Sequence, residues 1–417
     1  MTNANLPQFF AALDGLAGSL GFGKVGFDAD ELIRLSLRRA RRKAFCESSF
    51  RGPLRLLLDC YEHEADLNMF GRLAAKWDVL RCLSNLLRFE AEEEACPGIL
   101  REQIVRPIFI TGFPRSGTTF LHTLLCEDRT NLVPRCWQTI FPYPKKGEKS
   151  DQRRHRVTKQ LAFFERMAPE MAVLHPLSAD SPQECTEITA QVFRSLRYEM
   201  THRVPSYQKW IDATGHIAAY QFHKRFLQHL QHQHGRGQWI LKCPDHVHAL
   251  NAIQTVYPDC RFVFVHRDPL RVIASAVKLT EVVRRPFTRA VDKHELGRQV
   301  VGRTLEGAHT MVEWTMSGAR DRTFHVHFKD LARHPLSVIE TMYKRFGLDW
   351  TRDTQERMQT FVAAGGHGGS YHYSFEEFGL DPDALSIQFQ TYMNHFDIYR
   401  ESPAWKNEGR VRAPIAA

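Results

Sequence analysis

From about Asp28 to Glu94 the apolar residues recur three and four positions apart, as in Leu54, Leu57, Leu58 and Tyr61 and again in Leu80, Leu83, Leu86 and Leu87, with charges between them. That spacing predicts amphipathic helices, and hence a helical N-terminal region over residues 1–100. The pattern runs through Ala95 into Cys96-Pro97-Gly98, where proline and glycine predict a stop. The texture changes at Arg106-Pro107. Ile108-Phe109-Ile110-Thr111 is a short, mostly apolar run that ends in a glycine loop, and Phe120-Leu121-His122-Thr123-Leu124-Leu125 follows it. This reads as strand, loop and helix.

Three more short apolar runs follow: Trp239 to Lys242, Arg261 to Arg267, and Thr323 to Phe328. The second passes through Asp268-Pro269 into a helical pattern from Leu270 to Val277, and the last precedes one from Pro335 to Phe346. Continuous apolar strands alternating with helices predict a buried parallel sheet built from βαβ units. Residues 104–417 are therefore expected to form a P-loop-type α/β domain, a parallel sheet flanked by helices. A helical insertion over 130–235, rich in His, Pro and Arg, is placed to shape a substrate pocket at the carboxyl edge of the sheet. Gly365-Gly366-His367-Gly368-Gly369 predicts a mobile loop. No repeat or low-complexity segment stands out.

Composition narrows the class only slightly. The chain has 417 residues, 43% hydrophobic and 25% charged, which is ordinary for a folded globular protein. Its net charge of +9 favours anionic ligands. The basic residues are dispersed except for Arg38-Arg39-Ala40-Arg41-Arg42-Lys43, which reads as the solvated face of a helix, so nucleic acid is not expected as a partner. Nine scattered cysteines with no CxxC pair point to neither a disulfide framework nor a zinc site. Phe9-Phe10 and the residues after it, broken by Asp14, do not make a signal peptide, and no run is apolar enough to span a bilayer. The expectation is a cytoplasmic protein without a transmembrane segment.

The chemistry concentrates in Gly112-Phe-Pro-Arg-Ser-Gly-Thr-Thr119. It keeps the glycine spacing and final threonine of a GxxxxGK[ST] phosphate loop but carries Thr118 in place of the lysine. Loop N–H groups and the next helix's N-terminus still supply donors and a positive dipole end for phosphate, and Arg115 is placed to restore the cation. A nucleotide-hydrolysing loop also needs an acidic strand end to hold Mg²⁺. The strand Phe262 to Val265 ends instead in His266-Arg267, with Asp268 reading as a helix-start residue. Arg267 and Ser275 suit a second phosphate, and no metal is expected.

Pro107-Ile-Phe-Ile-Thr-Gly-Phe-Pro-Arg-Ser-Gly-Thr-Thr-Phe-Leu121 resembles the 5′-phosphosulfate loop of sulfotransferases, and Val265 to Ser275 resembles their 3′-phosphate segment. Leu241-Lys-Cys-Pro244, Asp180-Ser-Pro-Gln-Glu184-Cys and Tyr373 to Leu380 extend the resemblance to the bacterial branch. The resemblance implies 3′-phosphoadenosine 5′-phosphosulfate (PAPS) as donor and a hydroxyl or amine of a small-molecule, lipid or carbohydrate acceptor. Pro114, Arg115, Ser116, Gly117, Thr118 and Thr119 would then hold the phosphosulfate, and Arg267 with Ser275 the 3′-phosphate. Lys242, at a strand end, would meet charge developing on the leaving phosphate.

The proton acceptor stays open. Tyrosine-directed relatives place a glutamate soon after the loop, where this chain offers Gln138. Glu184 is the first candidate, although Ser181-Pro182-Gln183-Glu184 also reads as a capping box. His246 is the second, against the alternative of a polar helix residue; His175 and His122 rank lower. Two other functions compete: a P-loop small-molecule kinase, against which the missing lysine and metal carboxylate count, and a non-catalytic nucleotide-binding scaffold, against which the intact Arg115-to-Thr119 run counts.

Overall fold

The computed structural model describes residues 26–365 and 374–401. The N-terminal stretch around Phe9-Phe10, the run Gly366-His367-Gly368-Gly369 and Tyr373 lie outside the described residues. The N-terminal helices are α1 (Ala29–Ala40), α2 (Arg51–His63) and α3 (Met69–Ala95). Asp28 caps α1, its Oδ1 accepting the N–H groups of Asp30 and Glu31 at 2.8 and 3.0 Å. The third ends at Ala95, before the Cys96-Pro97-Gly98 stop.

Further helices include α4 (Thr118–Leu125), α5 (Arg153–Met167), α6 (Ile217–His234), α7 (Pro269–Arg284), α8 (Lys293–Met316) and α9 (Pro335–Phe346). Strands β1 (Ile108–Gly112), β2 (Asn131–Leu132), β3 (Gln238–Lys242), β4 (Arg261–His266) and β5 (Thr323–His327) form one sheet in the order β2-β3-β1-β4-β5, with every pairing parallel. Four of them lie on the four apolar runs of the sequence. The edge strand β2 has only two residues, too few to carry a period.

Successive strand side chains face opposite sides, so one sheet serves two cores. Ile108, Ile110, Ile240 and Val263 face Leu121 and Leu124 of α4 and Ile339 and Met342 of α9. Phe109, Leu241, Phe262 and Phe264 face a second cluster that includes Leu54 and Leu57 of α2 and Leu83 and Leu86 of α3. The helical N-terminal region and the sheet thus share a core. The 130–235 insertion is largely helical and crosses the carboxyl end of β3. There Glu184 bridges Lys242 in parallel fashion, and the Cys185 N–H donates to the Lys242 carbonyl at 3.1 Å. No helix among the described residues is long and apolar enough to cross a membrane.

The central strand ends at Gly112 because nothing larger fits. Its φ is +141°, and a Cβ there would stand 2.3 Å from the Val265 carbonyl oxygen. Gly112→Ala is expected to lower stability by at least ~2 kcal/mol in urea unfolding, through both strain and overlap. Gly302→Ala, in α8 with open space around it, is expected to raise stability by about 0.5–1 kcal/mol.

Candidate functional site

The loop after β1 is held by backbone geometry. Arg115 takes a left-handed conformation with φ +66°, and Gly117 follows at φ +97°, where a Cβ would meet the Phe328 ring at 2.8 Å. Ser116 is buried and its Oγ donates to the Phe113 carbonyl at 2.7 Å, closing the turn. Gly117 caps α4 without a side chain, so no cap hydroxyl or carboxylate occupies the first-turn N–H groups. This leaves the donors and dipole end that an anion requires.

Next to the loop stands Lys242, the last residue of β3, 1% exposed. Its Nζ donates to Thr119 Oγ1 at 3.2 Å and to Glu184 Oε1 at 2.6 Å. The cation that the loop lacks at Thr118 is therefore supplied from the neighbouring strand. Burial works to raise the Glu184 carboxyl, but the charge of Lys242, that of His175 and the lysine hydrogen bond outweigh it and hold the group below the usual carboxylate range. The capping box is not formed. The short helix Thr186–Thr189 begins only after Cys185, and Ser181 Oγ instead accepts the Ser178 N–H at 2.9 Å. The segment stays extended because it lies along the end of β3.

Arg115 turns across the cavity, where its Nε donates to Ser275 Oγ at 3.0 Å and its Nη1 to the Leu174 carbonyl at 2.6 Å. Arg267 follows β4, stacks 4.0 Å above the Phe328 ring, and donates from Nη1 to the Arg115 carbonyl at 2.8 Å. Its other face is taken by Glu401, bonded to Nε at 2.8 Å and Nη2 at 3.0 Å, with Arg271 3.8 Å away. Asp268 caps α7 by accepting the Leu270 N–H at 3.0 Å, as its helix-start reading predicts, and its other oxygen accepts the Glu401 N–H at 2.9 Å. Glu401 was not singled out in the sequence: it is separated by 134 positions from the arginine it meets, and no local pattern links them.

A cavity of about 510 Å³ joins these groups. Pro114, Arg115, Thr118, Thr119, Arg267 and Ser275 line it, together with Gly117. Phe164, Met171, Leu196, Met200, Leu279 and Phe287 also line it, as do Glu184, Glu187, Arg197, Glu199, Arg303 and Thr304. His175 also lines it. Burial, with Lys242 and Arg115 adding to it and Glu184 opposing, lowers this imidazole to about 4.

His246 is not among the lining residues. It is fully buried, its Nδ1 2.5 Å from the Tyr220 hydroxyl and its ring edge-on to Phe109 at 5.0 Å. The second candidate base therefore does not reach the cavity: the turn that carries it points His246 into the core and presents Asp245, Val247 and His248 to the cavity. His122 is buried too, its Nε2 3.2 Å from the Ile240 carbonyl. Gln138 binds the Arg135 N–H at 2.8 Å as part of a helix start. No group of three or more His, Cys, Asp or Glu among the described residues is arranged to hold a metal ion.

Residues 107–352 match the model of the sulfotransferase family. The chain is 24% identical over 278 residues to the omega-hydroxy-beta-dihydromenaquinone-9 sulfotransferases of Mycobacterium bovis and Mycobacterium tuberculosis, covering 62% of this chain and 66% of theirs, just under two thirds. Among solved structures it is similar to the sulfotransferase STF9 of Mycobacterium avium, with a TM-score of 0.81 and 26% identity over 90% of this chain and 98% of that one. Its similarity to STF1 of Mycobacterium tuberculosis has a TM-score of 0.76 and 25% identity, over 87% and 98% of the two chains.

A carboxylate on Arg267 competes with any phosphate for the same guanidinium. Glu401→Gln is expected to tighten binding of adenosine 3′,5′-bisphosphate about three- to tenfold in calorimetry, and Arg267→Ala to weaken it by roughly 30-fold or more. Unchanged affinity in both variants would show that this arginine does not meet the 3′-phosphate.

Proposed function

Because the chain belongs to the sulfotransferase family, we propose that it transfers the sulfuryl group of PAPS to the hydroxyl of an elongated, lipid-like alcohol. The observation that carries this reading is one cavity lined both by the phosphate-type loop with Arg267 and Ser275 and by a set of apolar side chains, with a buried lysine bonded to two of its lining residues, Thr119 and Glu184. PAPS supplies an activated sulfuryl group already bonded to a phosphate leaving group.

The chain's own residues then have separable tasks. Loop N–H groups of Ser116 to Thr119 hold the phosphosulfate, and the Thr118 and Thr119 hydroxyls add donors. Arg267 and Ser275 hold the 3′-phosphate, with Glu401 displaced from the guanidinium. Lys242 keeps an ammonium beside the loop to meet negative charge on the departing phosphate. Glu184 holds that lysine in place. The strand end after β4 carries Arg267 where a kinase would carry a metal-binding carboxylate, which supports a sulfuryl rather than a magnesium-dependent phosphoryl donor.

The apolar part of the lining sets the acceptor class. Aliphatic and aromatic side chains such as Phe164, Met171, Leu196, Leu279 and Phe287 line much of the cavity, and they suit a long hydrocarbon that ends in a hydroxyl. The menaquinone-derived acceptor named for the mycobacterial relatives has this character. A cytoplasmic site of action is part of the proposal, supported by nine cysteines that are all free.

Calorimetry with adenosine 3′,5′-bisphosphate and with ATP plus magnesium tests the donor. The expected result is micromolar or tighter, metal-independent binding of the former; a preference for ATP would sink the reading. With sulfur-labelled PAPS and farnesol as a probe acceptor, the wild type should form a labelled sulfate ester. Arg115→Ala should lower that rate by about 100-fold or more at unchanged thermal stability.

A further inference from the structure

Asp245 lies three residues past Lys242, on the 3₁₀ turn Pro244–Ala249 that leads the chain away from β3. It lines the cavity beside Glu184, Pro244 and Val247. The other carboxylates of this part of the cavity are already engaged. Glu184 pairs with Lys242 at 2.6 Å, Glu187 with Arg197 at 3.0 Å, and Glu199 accepts a hydrogen bond from Gln299. Asp245 has no such partner: its carboxyl accepts no hydrogen bond and joins no ion pair with any described residue. A carboxyl without a partner, half-sheltered in the cavity and three residues beyond the lysine that is bonded to the loop, is placed for proton transfer rather than for holding the fold.

Resting on the transfer reading above, we propose that Asp245 is the general base that takes the proton from the acceptor hydroxyl. The acceptor O–H bond breaks toward the Asp245 carboxylate as the oxygen–sulfur bond forms. The bond from sulfur to the bridging oxygen breaks, and its electron pair leaves on adenosine 3′,5′-bisphosphate beside Lys242. The carboxyl then returns the proton to water, so no oxidant or further reactant is required.

The surroundings give the carboxyl a suitable basicity. Burial raises it first and the Glu184 charge next, with smaller contributions from Glu199 in the helix Arg197–Thr201 and Asp212 in the helix Pro205–Thr214, to about 7. Arg303 of α8 opposes this, but its own guanidinium is held by Asp212 at 3.1 Å and Glu306 at 2.7 Å. On the same turn, burial and Arg303 push His248 well below its ordinary range, while burial and Asp245 itself raise the Cys243 thiol. For a carboxyl raised in this way the basic form is lost as pH falls through about 7. Turnover should therefore fall toward tenfold per pH unit below that point and level off above it.

The test compares wild type, Asp245→Asn, Asp245→Glu and Glu184→Gln in three measurements: calorimetry with adenosine 3′,5′-bisphosphate, sulfation of farnesol from labelled PAPS between pH 5.5 and 9, and slow release of labelled sulfate from PAPS to water. The water reaction needs no organic acceptor. Asp245→Asn should bind the bisphosphate as wild type does, and the farnesol KM should stay within about threefold. It should lose about 100-fold or more in turnover at pH 8, together with the acidic limb. Asp245→Glu should recover part of the rate with the limb restored, and Glu184→Gln should be slower with the limb still present but moved to lower pH, because the Glu184 charge helps to raise Asp245. A limb that survives Asp245→Asn, or that disappears only in Glu184→Gln, overturns the assignment of Asp245 and leaves the transfer reading standing. A wild type that binds no bisphosphate and releases no sulfate to any acceptor takes both down.

Discussion

The ammonium of Lys242 is buried, and a buried charge has to be met on the spot. Removing one partner of such a pair typically costs about 3–5 kcal/mol, because the other charge is then left uncompensated. Three distant segments converge to meet this one: β3 supplies the lysine, α4 supplies Thr119, and the insertion supplies Glu184. The backbone reinforces the arrangement through the bond between Cys185 and the Lys242 carbonyl. The pair therefore fixes the loop against the strand end and the insertion against both. The cavity is the space left between elements that are tied at this point.

The two arginines follow a related logic. Cations placed to receive a multiply charged anion repel one another and need provisional partners before it arrives. Arg115 rests on Ser275 and a carbonyl, and Arg267 rests on Glu401 and a carbonyl. Each is already fixed by these bonds, so little side-chain entropy remains to be lost on binding an anion. The cost lies in exchanging one set of acceptors for another, and for Arg267 that exchange removes a carboxylate.

How far the sequence reveals this site depends on whether a feature is local. The four apolar runs were legible because a parallel strand covered on both faces must be apolar along its length. The loop was legible because its glycines answer steric demands, the first against the Val265 carbonyl and the second against Phe328. The capping box at Ser181 to Glu184 was a sound local pattern, overridden when the segment paired with the end of β3. His246 was misplaced because a 3₁₀ turn sends consecutive side chains in very different directions, and spacing from Lys242 does not say which one enters the cavity. Asp245 was hidden by the same ambiguity, one residue away. Glu401 could be found only from the fold, since its partner lies on another element far back in the chain.

Glu184 and Asp245 show how two similar groups in one cavity come to do different work. Both are carboxyls sheltered from water, and burial alone would raise both. A lysine bonded to one of them reverses the effect there, and the charge so fixed on Glu184 pushes Asp245 further up. The ion pair that organises the cavity thereby sets the proton affinity of its neighbour. One carboxylate stays ionised to hold a cation, and the other is left poised to take and return a proton near neutral pH. On this account a change at Lys242 alters more than the stabilisation of a leaving phosphate. Without the ammonium, Glu184 would rise toward protonation and lose the charge that acts on Asp245, so the base and the lysine cannot be tuned independently.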